Sequence, residues 1–232
     1  MTNPQSPVYQ NTALLITTGS SSSRFGTGQN KLLLPLDGTP IICHALRNLL
    51  PVINPALAYI MAPAGSHDEF RNALDQGGIP KAVKIVGGGA TRQQSVLNGL
   101  RALPVNVKWV AIQDGARPFT SATLLSACLE STFRHGSGIA AHKVTDTVKI
   151  AAPDGKVIST PDRDTLWATE TPQVFALDLI LPAYERAEKE GWQTTDDAQV
   201  AELAGCKVYL VPHQENNRKI TYARDLDDNG LV

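Results

Sequence analysis

The sequence predicts an α/β protein: a three-layer α/β/α, Rossmann-like domain on a mostly parallel, twisted sheet. Three observations carry this. Short β-like apolar runs alternate with helix-like stretches along the chain, the order that implies crossover units. Several of those runs are continuously apolar, as strands buried on both faces require. With 232 residues, 42% of them apolar and 19% charged, the chain is long enough to bury one sizeable core.

Taken in order, residues 13–17 (ALLIT) form the first strand and 40–50 the first helix. Strand 56–61 (ALAYIM), helix 67–76 and the short strand 84–86 (KIV) follow. Residues 91–103 make the clearest helix, with Val96, Leu100 and Leu103 at helical spacing and Thr91 placed to cap it. Next come strand 109–113 (WVAIQ), helix 121–135 and strand 139–143 (IAAHK), then helices 177–190 and 195–204 and strand 207–211 (KVYLV).

Residues 144–170 break the alternation. Two β-rich segments flank Pro153-Asp154-Gly155, a hairpin turn rather than a crossover helix. A hairpin of this length needs a surface to pack on. It is therefore expected as an arm of a single domain spanning 1–232, resting on that domain or on a second subunit.

Composition narrows the function. Lys and Arg total 21 against 22 Asp and Glu, a net charge of -1, which disfavours a nucleic-acid polymer or an anionic membrane as partner. No apolar run approaches the roughly 18 residues of a membrane span. Charge is unevenly spread: through Ala116 there are nine basic and five acidic residues, and the remainder has 12 against 17. The first half therefore suits a small polyanion, unless the asymmetry is chance variation along a surface. Three distant cysteines with no C-x-x-C pair suggest neither a disulfide framework nor a zinc site. The N-terminus lacks the charged and apolar regions of a signal peptide, so a cytoplasmic location is expected.

Three loops follow predicted strands. TTGSSSSRFG (17–26) offers small residues that let backbone N–H groups approach a phosphate, with Arg24 and Lys31 as charge, or it is a plain Ser-rich connection. It is neither a P-loop nor the G-x-G-x-x-G dinucleotide fingerprint, which argues against a dehydrogenase. Gly87 to Gly89 enter the best helix, where free N–H groups favour an anion or a base carbonyl, with Ser95 near the entry. The bland alternative is a strand-to-helix turn. DGARP (114–118) closes a strand at its carboxyl end, where open parallel sheets bind ligands, and Asp114 there suits magnesium or a ribose, or pairs with Arg117 in a turn. The five histidines show no ligand spacing and no G-x-S-x-G elbow occurs, which disfavours metalloprotease and serine-hydrolase chemistry.

In order, these segments resemble the 2-C-methyl-D-erythritol 4-phosphate cytidylyltransferase family over about residues 13–226. The resemblance rests on the first loop with Arg24 and Lys31, GGATRQQSVLNG (88–99), DGARP (114–118), DTVK (146–149), Arg163 followed by LW (166–167) and TPQ (171–173), TDDA (195–198) and NRKIT (217–221). It implies CTP held by Thr18, Gly19, Ser20, Gly88, Gly89, Ser95, Asp114 and Gly115. It implies a polyol phosphate held by Asp114, Arg117, Thr147, Arg163, Thr195 and Lys219. Arg24, Lys31 and Lys219 would act on the reacting phosphates, with Mg²⁺ or another divalent cation at Asp114. The resemblance further implies a homodimer in which the 144–170 arm carries Arg163 to the partner's site. The attacking phosphate oxygen is already anionic near neutral pH, since its second pKa is about 6, so no general base is required. The family's A-A-G-x-G-x-R loop is here T-T-G-S-S-S-S-R, Asn30 replaces the usual Pro, and Gly115 replaces the more usual Ala, a change expected to be mild. Two further readings remain: a cytidylyltransferase for another polyol phosphate such as ribitol 5-phosphate, and a CTP-binding protein without catalysis.

Overall fold

The computed structural model describes residues 7–19 and 30–226. Its centre is a seven-stranded sheet. The strands, with our numbering, are β1 (Thr12–Thr17), β2 (Ala58–Ala62), β3 (Lys84–Gly87), β4 (Trp109–Asp114), β5 (Ser137–Lys143), β8 (Trp167–Ala176) and β9 (Leu210–Pro212). Between β5 and β8 lies a separate two-stranded hairpin of β6 (Ile150–Ala151) and β7 (Val157–Ser159). Spatial order in the large sheet is β9-β5-β8-β4-β1-β2-β3. Every pairing is parallel except those of β8, which runs antiparallel to both β4 and β5.

Strand alternation builds two apolar cores. Leu14 and Ile16 of β1, Ile60 of β2 and Ala111 of β4 face one side; Leu15, Tyr59, Met61, Val110 and Ile112 face the other. Helices α1 (Ile41–Leu49), α2 (His67–Gln76) and α4 (Ala122–His135) cover the first face. Helices α3 (Arg92–Arg101), α5 (Leu177–Glu190) and α6 (Asp197–Leu203) cover the second. This is the expected three-layer, mostly parallel architecture.

Local chemistry sets the helix ends. Thr91, the expected cap of α3, accepts the Gln94 N–H at 3.0 Å, and Ser121 caps α4 by accepting the Leu124 N–H at 3.0 Å. The last helix begins at Asp197, two residues later than the expected 195, because the Asp196 side chain caps it by accepting the Gln199 N–H.

The arm differs in extent. Its turn falls where Pro153-Asp154-Gly155 places it: Gly155 has φ 85° and Lys156 N–H donates to Asp154 Oδ1 at 3.0 Å. The expected range 144–170, however, runs too far. Trp167 to Glu170 belong to β8, a central strand that pattern reading had missed. Glu170, Thr171, Pro172 and Gln173 look unlike a buried strand, and Pro disfavours one. The structure accommodates them because the ladder with β5 shifts register between Thr169 and Gln173, around a cis Thr171–Pro172 peptide. The buried polar side chains are satisfied: Thr171 Oγ1 accepts the Asp114 N–H at 3.0 Å and Gln173 Oε1 accepts the Ala198 N–H at 2.8 Å.

Candidate active site

The carboxyl ends of β1 and β4 lie side by side, with Thr17 registered against Asp114. Crevices at that end of an open parallel sheet are where ligands bind. Asp114 is 7% exposed, and its neighbours come from four parts of the chain. Lys219 Nζ lies 2.7 Å from Oδ2, Arg92 Nε 3.4 Å from Oδ1 and Arg117 Nε 3.7 Å from Oδ2. The Thr17 hydroxyl donates to Oδ1 at 3.2 Å. Burial by itself raises the Asp114 pKa; the charges of Arg92, Lys219 and Arg117 outweigh it and hold the carboxyl well below the usual carboxylate range.

The C-terminal segment is strapped across this turn. Ile220 N–H donates to Ala116 O at 2.8 Å, Arg117 Nη1 donates to Asn217 O at 2.6 Å and Thr120 Oγ1 donates to Asn217 Oδ1 at 2.6 Å. Lys31, opening a single turn of 3-10 helix, donates from Nζ to Ile220 O at 2.7 Å. Lys31, Arg117 and Lys219 thus converge although 189 residues separate Lys31 from Ile220. A concentration of cations with one ionised carboxylate is suited to binding two polyanions and to stabilising charge on a phosphate leaving group.

The remaining expected residues distribute as follows. The Thr18 hydroxyl donates to Met61 O at 2.7 Å, and Gly19 has φ 73°. Ser20 and Arg24 lie outside the described residues. Gly88 N–H donates to Ala62 O at 2.7 Å. The Ser95 hydroxyl accepts the Gly89 N–H at 2.9 Å and donates to Thr91 O at 2.8 Å, so it folds the loop back on its own helix. Gly115 is tightly held: an added Cβ would fall 2.9 Å from Leu32 Cδ1 and 3.1 Å from Ile16 Cγ2. The neighbours of Gly115 thus leave little room for the methyl group of the more usual Ala. Thr195 is exposed, with both its N–H and its hydroxyl donating to Gln199 Oε1. Thr147 and Arg163 are exposed on the arm, where Arg163 Nη1 donates to Thr145 O at 2.9 Å rather than meeting the Asp114 cluster.

Sequence reasoning named Arg92 and Asp197 within motifs but gave them no role. Arg92 bridges Asp114 to Asp197, meeting the two carboxylate oxygens of Asp197 at 2.8 and 2.7 Å. Asp197 is fully buried and also accepts from the Tyr184 hydroxyl. Burial and the adjacent carboxylate push the Tyr184 pKa well up, which keeps it a donor. An acid in the first turn of a helix reads as a dipole partner, so no local signal marks it as half of a buried pair. Glu170 went unnoticed for the same reason: it receives Arg117 Nη1 at 3.2 Å and Asn217 Nδ2 at 2.7 Å, both distant in sequence.

As a metal ligand Asp114 fits in part. Its two oxygens already accept from Lys219, Thr17 and Arg92, and a carboxylate offers about four lone-pair sites. It has room for one bond to a cation that is otherwise held by phosphate oxygens.

A mostly parallel α/β sheet with this cationic cluster at its carboxyl edge belongs to the nucleotidyltransferase class. More narrowly, the chain belongs to the 2-C-methyl-D-erythritol 4-phosphate cytidylyltransferase family, whose sequence model it matches over residues 12–229. It is 40% identical to the enzyme of that name from Synechocystis sp. across 92% of this chain and 93% of that one. The counterpart from Trichormus variabilis is 39% identical, with the same coverage. Among solved structures, 4-diphosphocytidyl-2C-methyl-D-erythritol synthase from Anaerococcus prevotii superposes with a TM-score of 0.81 at 28% identity, over 94% of this chain and 95% of that chain. The 2-C-methyl-D-erythritol 4-phosphate cytidylyltransferase of Thermus thermophilus gives 0.74 at 26% identity, over 92% and 94%. Among the described residues no helix is long and apolar enough to cross a membrane.

Proposed function

We propose that the protein transfers CMP from CTP to 2-C-methyl-D-erythritol 4-phosphate, in the cytoplasm, for isoprenoid synthesis by the non-mevalonate route. A phosphate oxygen of the acceptor attacks the α-phosphorus of CTP, and the bond to the β-phosphate oxygen breaks to release pyrophosphate. The observation that carries this reading is the meeting of Lys219, Arg92 and Arg117 at Asp114, at the carboxyl end of β4, with Lys31 held to the adjoining segment at Ile220 O. Lys219 and Arg117 draw the acceptor phosphate in, Lys31 meets the nucleotide phosphates, and the Gly88 to Gly89 turn takes the cytidine side. The nucleophile arrives ionised, so proton abstraction is not among the tasks of this chain. Asp114 would help to hold Mg²⁺ or another divalent cation, which would supply charge neutralisation when bound.

The working unit is a homodimer joined through the arm, with Arg163 and Thr147 serving the partner's site. Exposed apolar side chains support this: Val148, Ile150, Val157 and Ile158 are 37% to 67% exposed on the arm. Pyrophosphate release with CTP and the methylerythritol phosphate tests the reaction, and turnover at background level would overturn it. Competition with ribitol 5-phosphate at equal concentration should favour the methylerythritol substrate; the reverse preference assigns the other acceptor. Mixing Arg163→Ala with Lys31→Ala protein should restore part of the activity by leaving one intact site per heterodimer. No restoration after proven subunit exchange removes the shared site.

A further inference from the structure

On the other half of the sheet three potential ligands meet, two on neighbouring strands and one directly after a third. His142 is near the end of β5, Glu170 lies on β8 beside it, and His213 follows β9 directly. His142 Nδ1 is 3.5 Å from Glu170 Oε1, His213 Nε2 is 3.2 Å from Glu170 Oε2, and one ligand atom from each residue falls within 4.8 Å of the others. The two imidazoles stand edge to face, 6.2 Å apart at 79°. All three line one cavity of about 730 Å³.

His213 is the unexplained member. Its side chain is only 6% exposed, yet neither ring nitrogen makes a hydrogen bond, the Glu170 contact included. Buried polar atoms are nearly always partnered, so two unpartnered nitrogens at one ring ask for a ligand. The spacing says which kind. Bonds of about 2.0 to 2.2 Å at tetrahedral angles set ligand atoms about 3.3 to 3.6 Å apart. Each imidazole stands at about that distance from one Glu170 oxygen, 3.5 Å from Oε1 and 3.2 Å from Oε2, and the three ligand atoms, all within 4.8 Å of one another, need a small inward shift to share one ion.

We infer that His142, Glu170 and His213 form a binding site for a transition-metal cation of the Zn²⁺ class, with a fourth position open to the cavity. Two imidazoles and one carboxylate select Zn²⁺ or Co²⁺ over Mg²⁺, which prefers oxygen. Glu170 is oriented for the task from behind, by Asn217 Nδ2 at 2.7 Å and Arg117 Nη1 at 3.2 Å. The Arg117 charge works against a cation, so affinity comes from the imidazoles rather than from net negative charge. His142 and Glu170 sit on strands and His213 directly follows one, held by its N–H donating to Ala141 O at 3.1 Å, which places the set more rigidly than free loops would.

The test uses untagged full-length protein stripped of metal with a chelator. Co²⁺ titration should saturate at one ion per chain with the visible absorption of a tetrahedral site, and Zn²⁺ should displace it while millimolar Mg²⁺ does not. His142→Ala should weaken Zn²⁺ binding by at least about 100-fold, the upper end of what disturbing even an outer partner costs. His142 has a half-exposed side chain, so this variant is expected to keep its circular dichroism and melting point, and His213→Ala supplies a second arm. The exposed His67→Ala should leave binding unchanged. Absence of saturable Co²⁺ and Zn²⁺ binding in the parent, or parental affinity in folded His142→Ala, overturns the site.

Discussion

Replacing Asp197 by Asn tests the buried bridge. In the native protein Arg92 holds Asp197 with two bonds of 2.8 and 2.7 Å, and the Asp197 carboxylate has no solvent exposure. Burial opposes the charge on Arg92, and pairing with Asp197 more than restores it, so the guanidinium pKa is raised. The Asn variant keeps shape but presents an N–H₂ group to a guanidinium donor. Removing one partner of a buried pair costs roughly 3 to 5 kcal/mol. Two features reduce that here: Arg92 keeps 27% of its side chain exposed, and Asp114 remains 3.4 Å away as counter-charge. The expected loss is about 2 to 3 kcal/mol, or a fall in Tm of about 4 to 12 °C for a domain of this size. Glu188→Gln is the control. The Arg101–Glu188 pair has a similar 2.8 Å contact, but both side chains are 45% exposed, so its Tm should stay within about 1 °C of the parent. Differential scanning calorimetry on all three proteins decides. Equal shifts for Asp197→Asn and Glu188→Gln would refute the argument that burial, not contact distance, sets the value of these pairs.

Three more perturbations follow from the same geometry. Lys31→Ala should lower kcat far more than it raises KM for the polyol phosphate; a KM effect alone would confine Lys31 to ground-state binding. Gly115→Ala places a Cβ against buried Leu32 and Ile16, so urea titration should show a loss of about 1 to 3 kcal/mol from overpacking, and an unchanged midpoint counts against the close fit. Asp114 has a folded pKa below its unfolded value near 3.9, so its stabilisation is complete above about pH 4 and is lost as the pH falls from there towards the depressed folded value. Stability against urea, followed down through that window, should drop more steeply for the parent than for Asp114→Asn; parallel curves would contradict the assignment.

Most of the scaffold was legible because apolar periodicity is a local property. Helices 67–76 and 177–190 begin and end where the pattern puts them, and the Pro153-Asp154-Gly155 turn forms where its residues favour it. The strand β8 was hidden because its centre carries Glu170, Thr171, Pro172 and Gln173. Their burial is tolerable only when Asp114, Asp196, Ala198 and Asn217 arrive as partners. No window of sequence contains those partners.

The site divides in the same way. By itself the sequence determined the α/β order, the loops at the strand ends, the family resemblance and the presence of Lys31, Asp114, Arg117 and Lys219 in ordered motifs. Only the tertiary structure decided which charges meet. Lys219 reaches Asp114, and Arg92 reaches Asp197, each across 105 residues. The same folding turned Asp197 from a helix-end acid into the buried anchor of Arg92, and gathered His142 and Glu170 from two strands and His213 from the end of a third. Electrostatic pairing depends on distance in space and on exclusion of water, and both are set when the two helical layers close over the sheet.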